Sequence, residues 1–158
     1  MFVYYGSDQR IKRGITLAER FMAAADGAMI ATTDPGFPKF AYSNCMPKEI
    51  WEAMRSDWQN RTTVVRTYSP RNWLGFKIKS NVLAYTVNGK EFFLNANNLD
   101  RSDASICGTL IHEFAHVVDN NAAKLSFGHG DNSPNQKDTS YPYWIGSKAK
   151  KWAERNSL

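Results

Sequence analysis

All three histidines of this 158-residue chain, His112, His116 and His129, fall between residues 111 and 131, and two of them bracket a glutamate as His112-Glu113-Phe114-Ala115-His116. The spacing has meaning on a helix, where positions four apart stack on one face with Cβ atoms roughly 5–6 Å apart, so both imidazoles can reach one ion at about 2.0–2.1 Å. Glu113 then sits one residue round the helix, beside that ion. The chemistry needs this set. Zinc brings the pKa of a bound water to near 7, and a neighbouring carboxylate is still required to take its proton and later return it to a leaving amine. His112 and His116 are therefore expected as ligands of one zinc ion per chain, with Glu113 as the base.

Two helical histidines do not complete such a site, because a third protein ligand is needed. His129 is the first choice: it lies in Phe127-Gly128-His129-Gly130-Asp131, where flanking glycines permit a tight turn back toward the helix. Asp119, seven residues after His112 and so on the same helical face, is a rival, and Asp131 is a more distant one. If Asp119 is not a ligand it is expected to accept a histidine N–H or to belong to the helix end. Glu154 is a poor candidate, far along the chain in a lysine-rich tail.

The helix carrying the motif can be read from its ends. Ser102 or Asp103 caps it, and residues 104–118 contain no proline. Ile106, Leu110, Ile111, Phe114, Val117 and Val118 give it an apolar circumference, which predicts burial on most sides. Upstream, residues 82–87 and 90–95 flank Asn88-Gly89, a hairpin signal of the type I′ kind, and residues 62–68 read as a further strand ended by Ser69-Pro70. Residues 11–25 show the periodicity of an amphipathic helix. A second helix is expected with Ser43 or Asn44 as cap and Pro47 in its first turn, after a loop at 34–38.

The combination of HExxH, Gly128-His129-Gly130-Asp131-Asn132 and Tyr141-Pro142-Tyr143-Trp144-Ile145-Gly146 resembles the small zincin-type metallopeptidase domains of bacterial and phage-associated proteins. These carry HExxHxxGxxHG followed by PYxxG. The resemblance covers roughly residues 76–147. It implies zinc on His112, His116 and His129, Glu113 as base, and Tyr143 as a hydrogen-bond donor to the oxyanion. It also implies an antiparallel edge strand that pairs with substrate backbone. The chain departs from the metzincin pattern: Asp119 stands in place of glycine, Ala122 in place of histidine, the third histidine comes seven residues late, and no methionine follows Met54. The late Gly-His-Gly also resembles SprT-type proteases, which act on DNA-bound proteins.

The chain is accordingly expected to be a single α+β domain over residues 1–158, zincin-like, with a small mainly antiparallel sheet and an HExxH active-site helix. At 42% apolar and 13% aromatic content it can bury a real core. No run reaches transmembrane length, and the N-terminus lacks a signal-peptide core, so a cytoplasmic location or a signal-independent export route is expected. Cys45 and Cys107 are too few for a disulfide framework, and Cys107 reads as a small core residue. A net charge of +5 permits an acidic partner. Lys148, Lys150, Lys151 and Arg155 form a basic tail whose default is a solvated helix face, with contact to an anionic polymer as the alternative. Trp73, Trp144 and Trp152 are candidates for a substrate groove or for the core. The expected function is zinc-dependent hydrolysis of peptide bonds in a protein or peptide substrate. Amide cleavage in peptidoglycan, SprT-like proteolysis and an inactive zinc-binding module are the competing classes.

Overall fold

Ser102 starts the helix on which the rest of the structure is arranged. Its hydroxyl accepts the Ser105 N–H at 3.2 Å, and α4 then runs Asp103–Asn121. The computed structural model describes residues 1–32, 40, 42–77, 82–87, 89–128 and 140–156. Among these, five α-helices and four strands follow the order β1 (Phe2–Tyr4), α1 (Gln9–Ala23), α2 (Ala25–Thr32), α3 (Pro47–Asn60), β2 (Thr63–Tyr68), β3 (Ala84–Val87), β4 (Glu91–Asn95), α4 and α5 (Tyr141–Asn156). The architecture is α+β, as expected. Ile106, Leu110, Ile111, Phe114, Val117 and Val118 are all at most 2% exposed, so the apolar circumference of α4 is buried between the sheet and the helices α1 and α5.

The sheet order is β1-β2-β4-β3. β1 pairs with β2 and β2 with β4 in parallel, and only β3 runs antiparallel, against β4. The expectation of a mainly antiparallel sheet is thus corrected to a mixed one. The physical reason lies in the connections. The chain between β1 and β2 passes through three helices, a crossover long enough to return in the same direction, whereas only the β3–β4 connection is short enough for a hairpin. That hairpin pairs Val87 with Glu91, so its connection is three residues rather than two. Gly89 takes φ 59°, the left-handed conformation the Asn-Gly signal anticipated, and Asn88 lies outside the described residues. The register turns Thr86 and its partner Phe92 toward α4 and leaves Tyr85 and Phe93, stacked at 5.2 Å, on the opposite face.

Helix α3 begins at Pro47, but its cap is Met46, whose N–H is accepted by Glu49 at 2.7 Å. The expected caps are engaged elsewhere. Ser43 bonds within the turn to Cys45, and the Asn44 side chain accepts the Ser126 N–H at 2.8 Å and donates to the Lys124 carbonyl. Asn44 therefore clasps the segment that follows α4. Cys45 and Cys107 are buried free thiols, and the fully buried Cys107 has its pKa pushed up to about 12 by desolvation. Trp144 and Trp152 join the core while Trp73 is 91% exposed. Lys150 and Lys151 lie on the exposed side of α5, with Lys150 pairing with Glu154 at 3.8 Å and Lys148 over the Trp144 ring. That is a solvated face. No helix among the described residues is long and apolar enough to cross a membrane.

A glycine in isolation signals a turn, but Gly146 is a helix residue at a close contact. Residues 141–156 form one helix with Pro142 in its first turn, where a missing N–H is tolerated. Gly146 faces Gly108 of α4. A Cβ at Gly146 would lie 2.8 Å from the Gly108 carbonyl and 3.0 Å from His112 Cβ, and one at Gly108 would lie 2.7 Å from the Gly146 carbonyl. The two helices meet backbone to backbone there. Gly146→Ala is expected to cost about 1–3 kcal/mol from overpacking, outweighing the ~0.5–1 kcal/mol that alanine gains in a helix interior. A denaturant midpoint at or above that of the parent would show that the helices can part without loss.

Candidate active site

His112, Glu113 and His116 share one part of α4. The two imidazole rings are half-buried, with centroids 4.9 Å apart and planes inclined by 72°. Two imidazoles bound tetrahedrally to one ion at about 2.0–2.1 Å place their centroids roughly 5 Å apart, so this pair has the separation a shared ion needs. Among the described residues no group of three His, Cys, Asp or Glu side chains is placed to hold a metal. His129 and Asp131 lie outside the described residues.

Glu113 is buried, 5% exposed, although it sits between two half-buried histidines. Its Oε2 accepts the Thr86 hydroxyl at 2.7 Å, and the same hydroxyl is 3.2 Å from the Glu113 carbonyl. One proton serves both acceptors, and the shorter contact to the carboxylate dominates. Burial raises the Glu113 carboxyl to about 7, with the Thr86 hydrogen bond acting in the opposite sense. A carboxyl poised near neutrality both accepts and returns a proton at little cost. Thr86 was not singled out from the sequence. Alternation does not single it out, since Leu83, Tyr85 and Val87 share the opposite face, and its partner is set by the packing of β3 on α4.

Tyr143 comes from α5. Its ring lies 4.5 Å from the His112 ring, centroid to centroid, inclined by 63°. The phenol is held above its ordinary pKa first by burial and then by the negative charge of Glu113. It therefore stays protonated, a donor, at neutral pH. Its position follows from the contact one turn further on, where Gly146 lets α5 approach α4 closely enough for the two rings to touch.

Asp119 accepts the Phe127 N–H at 2.7 Å through Oδ1, and a Cβ on Gly128 would lie 2.9 Å from its Oδ2. Phe127 is fully buried and packs edge-on to Tyr141 at 5.8 Å. Asp119, three residues after His116, thus ties the returning chain to α4 at Phe127, two residues before His129 in the sequence. The contact lies at the C-terminal end of α4, and the acceptor serves a backbone N–H. Two surface concavities of about 370 and 470 Å³ touch none of His112, Glu113, His116 and Tyr143. No protein-family model, curated protein or solved structure matches this chain.

Proposed function

We infer that the chain is a zinc-dependent peptidase with His112, His116 and His129 as ligands, Glu113 as the base and Tyr143 as oxyanion donor. The observation that carries this reading is Glu113, a buried carboxyl brought near neutrality that accepts the Thr86 hydroxyl, on the same helix as two imidazoles whose rings lie 4.9 Å apart. Bound zinc supplies Lewis acidity and an acidified water. The chain's residues supply the rest. Thr86 orients the Glu113 carboxylate, which takes the proton from the attacking water and passes it to the leaving amine. Tyr143 donates to the oxygen on which charge develops. Asp119 accepts the Phe127 N–H, so the chain two residues before His129 is tied to the end of α4. Among the described residues β3 stands last in the sheet order, with a strand edge for an extended peptide beside Thr86, and this favours a peptide over other amides.

The test is zinc stoichiometry and cleavage together. Elemental analysis should give one zinc per chain, and His129→Ala should lose most of it. Full occupancy in that variant would move the third ligand to Asp119. The zinc-loaded chain should cleave a proteome-derived peptide library and stop when the metal is chelated. No cleavage by the fully loaded protein would overturn the peptidase reading.

A further inference from the structure

Between β2 and β3 the chain forms a small tip at residues 71–77 whose backbone is organised and whose large side chains point to solvent. Arg71 and Lys77 form an antiparallel bridge across its base. Within it the Asn72 side chain accepts the N–H groups of Leu74 and Phe76 at 3.1 and 2.9 Å. The Asn72 backbone N–H bonds to the Phe76 carbonyl, Gly75 donates back to Asn72, and the Arg71 guanidinium donates to the Gly75 carbonyl. Gly75 takes φ 81°, closing the turn. This network holds out Trp73 at 91%, Leu74 at 57% and Phe76 at 67% exposure. The turn after β4 fixes the tip to the sheet: Asn97 donates to the Pro70 carbonyl and Asn95 to that of Val82. The exposed Val82, Leu83 and Tyr85 at the start of β3 extend the apolar surface.

The sequence through this tip carries charge of one sign. From residue 58 to residue 90 the sequence carries Arg61, Arg66, Arg71, Lys77, Lys79 and Lys90 and neither Asp nor Glu. Arg61 is answered by Asp57 and Arg66 by Glu91, but among the described residues no carboxylate pairs with Arg71 or Lys77. A rigid tip with an indole at its apex, aliphatic and aromatic neighbours and two cations at its base matches a surface that is apolar within and anionic outside. A single-stranded nucleic acid would use the rings and the charges, yet would leave Leu74, Val82 and Leu83, which have no π-face, without a partner.

We propose that the 71–77 tip docks this protein on an anionic lipid surface. Trp73, Leu74 and Phe76 enter the boundary between headgroups and acyl chains, and Arg71 and Lys77 stay level with the lipid phosphates. The proposal is independent of the peptidase reading, since no residue of the tip belongs to that site. Sedimentation with vesicles of equimolar phosphatidylglycerol and phosphatidylcholine should pull down the intact protein, and vesicles of phosphatidylcholine alone should pull down much less. Brominated acyl chains should quench tryptophan fluorescence, and Trp73→Ser should abolish that quenching. Trp73→Ser with Phe76→Ser should weaken partition by at least about tenfold with the melting temperature unchanged, as both side chains are largely exposed. Arg71→Gln with Lys77→Gln should lose the preference for the anionic vesicles. No vesicle binding, or binding unaltered by the tip variants, overturns the proposal. So does Trp73-dependent binding of a single-stranded oligonucleotide without lipid binding, which would assign the tip to nucleic acid.

Discussion

On the peptidase reading, Glu113→Gln is expected to keep the fold and the zinc and to lower peptide hydrolysis by about 10²–10⁴-fold, the size of a general acid–base contribution. Glutamine is nearly isosteric and its carbonyl oxygen can accept the Thr86 hydroxyl as the carboxylate does, but it cannot take a proton from water. The metal-free protein gives a second readout of the same substitution. Burial holds the Glu113 carboxyl at about 7, above its ordinary 4.5, so between these values the folded chain binds a proton that the unfolded chain has released. With a raised pKa, the group costs nothing while both states are protonated, below the unfolded value. Stability then falls as pH rises toward the folded value. Above it the folded chain carries a buried charge that costs on the order of 3 kcal/mol. Metal-free Glu113→Gln is therefore expected to unfold at a higher temperature than the parent at about pH 8, with the difference shrinking toward pH 5. Hydrolysis within a few-fold of the parent sinks the mechanism, and a stability difference independent of pH shows that Glu113 is not desolvated.

How much of this was legible in the sequence depended on how local the cause was. Ser102 as cap, the apolar circumference of α4 and the strand at 63–68 follow from neighbouring residues, and each lies within a few positions of its expected place. β1 has only three residues and no periodicity. What holds it is the N-terminal amino group, bonded to the carbonyls of Trp58 and Arg61, and the Glu19 carboxylate, which accepts the Phe2 N–H. Its parallel pairing, and so the mixed sheet, is a property of the crossover. α2 was missed because its apolar and polar residues are spread round the helix. Asn44 looked like a cap because asparagine before Pro47 is a cap signal, yet its amide is matched to a chain segment some eighty residues away. The same limit governs the site. The i, i+4 histidines and the glutamate between them are a local pattern, whereas Thr86 and the Gly108–Gly146 contact belong to tertiary packing. Glycine in isolation signals a turn, and only the neighbouring helix shows that the missing side chain of Gly146 is what matters.

Tyr143→Phe is expected to lower kcat by about 10²–10³-fold, roughly 3–4 kcal/mol, with KM and zinc content nearly intact, as for loss of one preorganised oxyanion donor. The ring is placed by two contacts: α5 meets α4 backbone to backbone at Gly146 and Gly108, and the Tyr143 ring rests edge-on against His112. Burial and the charge of Glu113 both keep the phenol protonated, so the hydroxyl is available as a donor throughout the neutral range. A donor aimed at the position of the oxyanion gains strength only as charge develops there, which is why the loss should appear in kcat rather than in KM. Phenylalanine keeps the ring and its contact with His112 and removes only the hydroxyl. A merely structural Tyr143 would therefore leave turnover near normal, with at most a lower melting temperature. A stable, zinc-loaded and slow enzyme is the outcome that assigns the phenol to the chemistry. Gly146→Ala sharpens the distinction, because it displaces the whole ring: it should lower both stability and kcat, where Tyr143→Phe lowers kcat alone.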